Sequence, residues 1–143
     1  MPATDVVRHD HEFVDAHGVV ISYYVWRAPE ARGVVQIAHG VGEYALRYEE
    51  LAQNLVRAGY TVYADDHRGH GRTGIAQWGE GSGMLGHLGV GGLAATQDAI
   101  RQLTGIAREE NHDAPVILLG HSWGSLMAQR ILNEHAASYD AWC

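Results

Sequence analysis

Lysine is missing from this chain of 143 residues, and all ten of its Lys and Arg positions are arginine. The lysine of a phosphate-cradling loop is therefore absent. No strand runs into a Gly-x-Gly-x-x-Gly with a helix behind it, so no nucleotide cofactor is expected. Cysteine is almost absent. The single thiol, Cys143, rules out an internal disulfide and cannot supply a thiolate metal cluster. Ten histidines are present, but none are paired at His-x-x-x-His spacing. No metal is expected; His67 and His70 lack a third ligand at helpful spacing. No apolar run approaches the ~18 residues of a membrane span. The first twelve residues carry Asp5, Arg8, His9, Asp10 and His11 instead of the apolar core of a secretory leader. The expected location is the cytoplasm. No arginine run forms a basic stripe, and a net charge of −7 argues against a nucleic-acid partner. What remains, 46% apolar and 19% charged residues, is the balance of a globular protein with a sizeable core.

The periodicities alternate. Residues 11–16 and 19–26 read as strands around a turn at His17-Gly18, and residues 34–38 as a short apolar strand. Residues 47–58 read as a helix with Tyr48, Leu51, Ala52 and Leu55 on one face, ended by Gly59. A strand follows at 60–64, then a loop at 65–74. Residues 77–92, crowded with glycine, are expected to be irregular and mobile. Residues 93–108 read as a helix carrying Leu93, Thr96, Ile100, Leu103 and Ala107, weakened by Gly105. Residues 116–119 form the last clear strand, and 125–134 the last helix. Strands alternating with helices predict an α/β fold, a mostly parallel sheet flanked by helices. Sites in such sheets gather at the carboxyl ends of the strands. Three stretches fall there: His39 to Glu43, Asp65 to Thr73, and Gly120 to Gly124.

The third of these is the most specific. An apolar strand runs through Gly120-His121-Ser122-Trp123-Gly124 into a helix, the context of a nucleophile elbow. Ser122 is the candidate catalytic nucleophile. The backbone N–H of Trp123 is one candidate oxyanion donor, and that of Val41, in the glycine loop after the earlier strand, is the other. The side chain of His121 is expected to point away from that of Ser122. Asp66, Arg68 and His70 are expected to be hydrogen-bonded structural groups beside the site.

Three blocks carry a resemblance. They are His39-Gly40-Val41-Gly42-Glu43 with Arg47-Tyr48, then Asp66-His67-Arg68-Gly69-His70-Gly71-Arg72, then Gly120 to Gly124. In order and rough spacing the chain resembles the monoacylglycerol lipase and lysophospholipase branch of the α/β-hydrolase superfamily. The resemblance runs from about His11 to Asp140. It implies hydrolysis of lipid-like esters through an acyl-enzyme, with Ser122 as nucleophile and the Val41 and Trp123 N–H groups as oxyanion hole. Trp123 stands where the branch usually has methionine, Ser125 where it often has glycine, and Thr73 where it usually has serine.

The family's acid and histidine follow the nucleophile. Here Glu134, His135 and Asp140 are the candidates after Ser122. Glu134 and His135 lie about twelve residues on, roughly 18 Å along one helix, and cannot reach its hydroxyl. Residues 1–143 are therefore expected to form the N-terminal half of an α/β-hydrolase domain, without lid or later strands and with little turnover. Tyr139-Asp140-Ala141 reads as the approach to a strand that never comes. That would leave one edge of the 116–119 strand unpaired and open to self-association. The reading from another class is a non-catalytic α/β module that binds a partner through this edge.

Overall fold

A computed structural model describes residues 6–143, and in it the apolar runs pair into a six-stranded sheet. The strands are β1 (Arg8–Val14), β2 (Val20–Trp26), β3 (Gly33–Ala38), β4 (Tyr60–Asp65), β5 (Val116–Gly120) and β6 (Ala141–Trp142). Their order across the sheet is β1-β2-β4-β3-β5-β6. β1 and β2 pair antiparallel, as do β2 and β4, while β3 pairs parallel with β4 and β5, and β5 with β6. The helices are α1 (Glu49–Arg57), α2 (Gly71–Trp78), α3 (Gly92–Glu110) and α4 (Trp123–His135).

β3 is central and covered on both faces, so it is apolar almost throughout. Val34 and Ala38 point into a cluster with Ile100, Leu103 and Ala107 of α3 and Met127, Ala128 and Ile131 of α4. Val35 and Ile37 point into the opposite cluster, with Trp26, Val62 and Ala52 of α1. Gln36 breaks the run on the α3 side and is fully buried. Its amide donates to the Ile100 carbonyl at 2.9 Å and accepts from the Thr104 hydroxyl at 2.6 Å, so the buried polar group is satisfied.

The structure corrects several expectations. β1 runs from Arg8, three residues before the expected start, because every residue from Arg8 to Val14 has a partner in β2. Polar residues hid it, and an edge strand can carry them. The expected helix at 47–58 divides into a 3-10 turn, Ala45–Tyr48, and α1, whose buried contact is Ala52. Leu51 is exposed, and Tyr48, Leu55 and Val56 pack on the core instead. The expected loop at 65–74 ends early, because α2 begins at Gly71. Gly71 and Gly74 lie in that expected loop, yet both are helical, and a Cβ on Gly74 would stand 2.5 Å from the backbone of Gly69. The last helix starts at Trp123, two residues before expectation, and leaves Leu126 exposed.

The expected unpaired edge of β5 is also corrected. Ala141 and Trp142 pair with Ile117 and Leu118. The Asp140 N–H donates to Val116 O at 2.9 Å, Cys143 N–H to Leu118 O at 3.0 Å, and Gly120 N–H to Cys143 O at 2.9 Å. A two-residue strand was too short to leave a periodicity in the sequence. None of the described helices is long and apolar enough to cross a membrane.

Candidate active site

Three loops meet at the carboxyl ends of β3, β4 and β5. After β5 the chain turns through His121 and Ser122 straight into α4. Ser122 sits at φ 56°, ψ −119°, a conformation rare for a residue with a side chain. The turn is tight because its neighbours are glycine. A Cβ on Gly120 would lie 2.6 Å from the Gly124 carbonyl oxygen, and one on Gly124 would collide with the carbonyls of Ala38 and His39. The Gly124 N–H donates to His121 O at 2.9 Å, and the His121 N–H to Ala38 O at 3.1 Å, tying the elbow to the end of β3. Ser122 is exposed at the amino end of α4, where the helix dipole favours negative charge.

The loop after β3 packs directly on this turn. A Cβ on Gly40 would stand 3.2 Å from Cβ of Ser122. Glu43 holds the loop there. Its carboxylate accepts from the Gly40 N–H at 3.1 Å and from the Tyr48 hydroxyl at 2.9 Å, and lies 3.1 Å from His121 Nδ1. Burial pushes the Glu43 carboxyl up, but the bonds from Tyr48, His121 and Gly40 outweigh it and hold it below its ordinary range. The Tyr48 hydroxyl is pushed up to about 12, by burial and by the carboxylate it serves. The His121 side chain thus points to Glu43 and Tyr48. Glu43 and Tyr48 were visible in the sequence as members of a block, but this clasp was not, since it joins positions 78 residues apart.

Within the loop the N–H groups differ. The Gly42 N–H donates to His70 Nε2 at 3.0 Å. His70 Nδ1 lies 2.8 Å from Arg68 O and must donate to it, because a carbonyl only accepts. One neutral tautomer is thereby set, and burial lowers the His70 pKa in the same sense. Among the described residues the N–H groups of Val41 and Trp123 have no hydrogen-bond partner.

The loop after β4 is the buried floor. Asp66 accepts from the Ala45 N–H at 2.8 Å, the Tyr24 hydroxyl at 2.7 Å and the Arg72 N–H at 3.0 Å, so it anchors the 3-10 turn behind Glu43. Burial raises its pKa despite those bonds. The hydroxyl of Thr73 accepts from the Ser22 N–H at 2.9 Å. His39 accepts from the His67 N–H at 3.0 Å on Nε2 and donates from Nδ1 to Gly40 O at 2.7 Å. Burial pushes His39 down to about 3, so it stays neutral. Beneath it His67 Nδ1 meets Asp65 at 3.0 Å, and the His67 ring stands edge-on to Trp123 at 5.6 Å. Among the described residues His67 Nε2 and Asp65 Oδ1 have no partner. Arg68, fully buried, donates to Asp15 Oδ2 from Nε at 2.9 Å and Nη2 at 2.6 Å, and from Nη1 to the carbonyls of Leu88 and Val90. The expected irregular stretch at 77–92 is shorter, because Gln77 and Trp78 close α2 and Gly92 opens α3; residues 79–91 are irregular and are pinned by Arg68 and by a bond from the Gly86 N–H to Gly69 O at 2.8 Å.

Glu134 and His135 are the last two residues of α4 and lie 3.7 Å from each other, a helix length from Ser122. Asp140 caps the far end of β5, accepting from the Val116 N–H at 2.8 Å. Among the described residues no base is hydrogen-bonded to the Ser122 hydroxyl.

Residues 29–143 match the family described as serine aminopeptidase, S33. The monoacylglycerol lipase of Mycolicibacterium smegmatis is 43% identical over 118 residues, 82% of this chain and 39% of that protein. Lysophospholipase L2 of Escherichia coli is 28% identical over 145 residues, 98% of this chain and 40% of that protein. Among solved structures, a thermostable carboxyl esterase from Bacillus coagulans superposes with a TM-score of 0.85 at 28% identity, over 96% of this chain and 44% of its own. The chain thus spans less than half the length of these relatives. With the family match covering β3 to β6 and the loops that surround Ser122, this chain belongs to the serine aminopeptidase S33 family, as an α/β-hydrolase of the monoacylglycerol lipase and lysophospholipase branch.

Proposed function

We propose that this chain carries the nucleophile half of a serine hydrolase acting on lipid-type carboxylic esters, monoacylglycerols or lysophospholipids. The observation that carries the reading is Ser122 at φ 56° between β5 and α4, with the glycine loop of Gly40 packed on it. In this reading the Ser122 hydroxyl attacks the ester carbonyl. The Val41 and Trp123 N–H groups, with the amino end of α4, stabilise the negative charge that develops on the carbonyl oxygen. The alcohol then leaves, and water releases the acid from the acyl-serine. Consumption of the Gly42 N–H by His70 favours Val41 as the second donor.

A serine hydroxyl is a poor nucleophile until a base takes its proton. Glu134 and His135 sit at the wrong end of α4, so we expect this chain to turn over substrate slowly or not at all. The test is covalent. The chain is incubated with a small, highly reactive ethyl fluorophosphonate and its intact mass is followed. We expect a single slow adduct that maps to Ser122 and is absent in Ser122→Ala. An adduct that forms at another residue, or that persists unchanged in Ser122→Ala, would refute the nucleophile assignment.

A further inference from the structure

Two guanidinium groups flank a gap on one face of α3. Arg101 and Arg108 are two helical turns apart, which puts them on the same side of the helix, about 10.5 Å apart along its axis. Gly105 lies between them. Across the gap stand the 3-10 turn after α4, Ala136–Ser138, and Tyr139. With Thr104 these residues enclose a cavity of about 230 Å³. The packing gives no reason for the glycine. Glycine inside a helix is unfavourable, yet a Cβ on Gly105 would meet nothing within 4 Å. The missing side chain keeps the gap open.

The polar groups around the gap divide into engaged and free donors. The hydroxyls of Thr104 and Tyr139 are bonded to each other at 2.7 Å, and Thr104 also to Gln36, so they form a neutral back wall. Arg108 donates from Nε to Ser138 O at 2.7 Å and from Nη2 to the same oxygen, and Nη2 lies 3.3 Å from Asp140. These bonds fix the guanidinium against the turn and leave its Nη1 without a partner among the described residues. Asp140 is itself held by the Val116 N–H at 2.8 Å. Arg101 makes no hydrogen bond among the described residues, and its ion-pair partner, Asp98, stands 3.8 Å away on the helix surface. The Ser138 hydroxyl also has no partner there; the bonds to this residue go to its carbonyl.

We propose that this gap binds a phosphate dianion, free or as the head of a small phosphomonoester, between the Arg101 and Arg108 guanidiniums, with the Ser138 hydroxyl as a further donor. A tetrahedral oxyanion presents separate oxygens to donors on opposite sides, and guanidinium forks match them. The cavity is smaller than the ~300–1,000 Å³ of pockets for drug-sized ligands, so its occupant is small. The net charge of −7 repels anions from the chain as a whole, so one binds only where unengaged cationic donors are gathered. The gap is far from Ser122. Tyr139 and Asp140 lie beside Val116 at the amino end of β5, whereas Ser122 follows its carboxyl end. The inference therefore does not rest on the hydrolase reading.

The 15N-labelled chain is titrated with sodium phosphate and with methyl phosphate at about pH 8, where both are largely dianions, against sodium chloride at matched ionic strength. We expect saturable shifts at the amides of Arg101, Gly105, Arg108 and Ser138 and at the two arginine Nε–H groups, with chloride producing none of them. Arg101→Gln removes one charge-assisted donor fork and weakens phosphate binding about tenfold or more. Gly105→Met fills the gap and abolishes binding, while its stability in urea is no lower than that of the wild type, because methionine is a better helix former than glycine. Tighter binding of methyl phosphate than of inorganic phosphate identifies a phosphomonoester as the occupant, and the reverse identifies the free ion. Absence of saturable shifts at these residues, equal shifts with chloride, or undiminished affinity in either variant would overturn the proposal.

Discussion

Replacing Arg68 with methionine should be among the most damaging changes this chain can suffer outside its packed core. The Arg68 and Asp15 side chains are 0% and 4% exposed, and the guanidinium makes two bonds to one carboxylate oxygen, at 2.9 and 2.6 Å. Methionine removes the charge but fills much of the space, leaving the Asp15 carboxylate buried without its counter-ion. Breaking a buried pair from one side costs about 3–5 kcal/mol, a large part of the ~5–15 kcal/mol that holds a domain folded. Arg68→Met also releases the carbonyls of Leu88 and Val90, loosening the irregular segment before α3. The control is Arg101→Met. Arg101 lies 3.8 Å from Asp98 on the surface of α3, a pair worth at most about 1 kcal/mol. Urea unfolding at pH 7 measures both. Adding Asp15→Asn to Arg68→Met removes the stranded charge and should recover about 1–2 kcal/mol. The acid dependence has a definite sign. Burial pushes the Asp15 carboxyl up, but the bonds from Arg68 and the turn N–H groups of His17 and Val19 outweigh it and depress its folded pKa. A depressed carboxyl stabilises above its unfolded pKa, about 3.9, and the benefit fades as pH falls through the folded value. The deficit of Arg68→Met is therefore largest at neutral pH and shrinks in acid. A loss below about 1 kcal/mol at pH 7, equal to that of Arg101→Met, would refute the reasoning.

Two glycine substitutions should act in opposite directions. Gly124→Ala drives a Cβ into the carbonyls of Ala38 and His39 and should cost ~3 kcal/mol or more, whereas Gly105→Ala, in open space within α3, should stabilise by about 0.5–1 kcal/mol in the same urea assay. His39 should remain neutral well below the ordinary range, so its imidazole resonances should not titrate between pH 7 and pH 4. Because its folded pKa is depressed, its stabilising contribution is complete above about 6.5, the unfolded value, and declines as pH falls towards 3. Substituting His39 by glutamine should flatten that part of the stability–pH curve.

Local patterns were readable wherever one segment satisfied its own backbone. The strand-turn-helix at 116–135 is such a case. Gly120 and Gly124 are required by contacts within the turn and to the adjacent β3 end, and Ser122 follows into its positive φ. α3 was readable because its apolar positions repeat at helical spacing over five turns, and Gly105 did not interrupt it because nothing packs there. The same reasoning failed at α2. Gly71 and Gly74 were placed in a loop, but Gly74 is needed for close approach to Gly69, a demand invisible without the fold. It failed at β1, where Arg8, His9 and Asp10 are tolerated because a strand at the sheet's edge buries little. It failed at β6, two residues long and defined only by its partner.

The alternation of strands and helices, the elbow and the glycine loop therefore came from neighbouring residues, through propensity, periodicity and turn chemistry. The sheet order, the Glu43 clasp on His121 and the Arg68–Asp15 pair across 53 residues did not. Each joins segments far apart in the chain, and each forms only after chain-ordering entropy has been overcome by burial of both faces of β3. Linear spacing carries no record of which distant partner a carboxylate will meet.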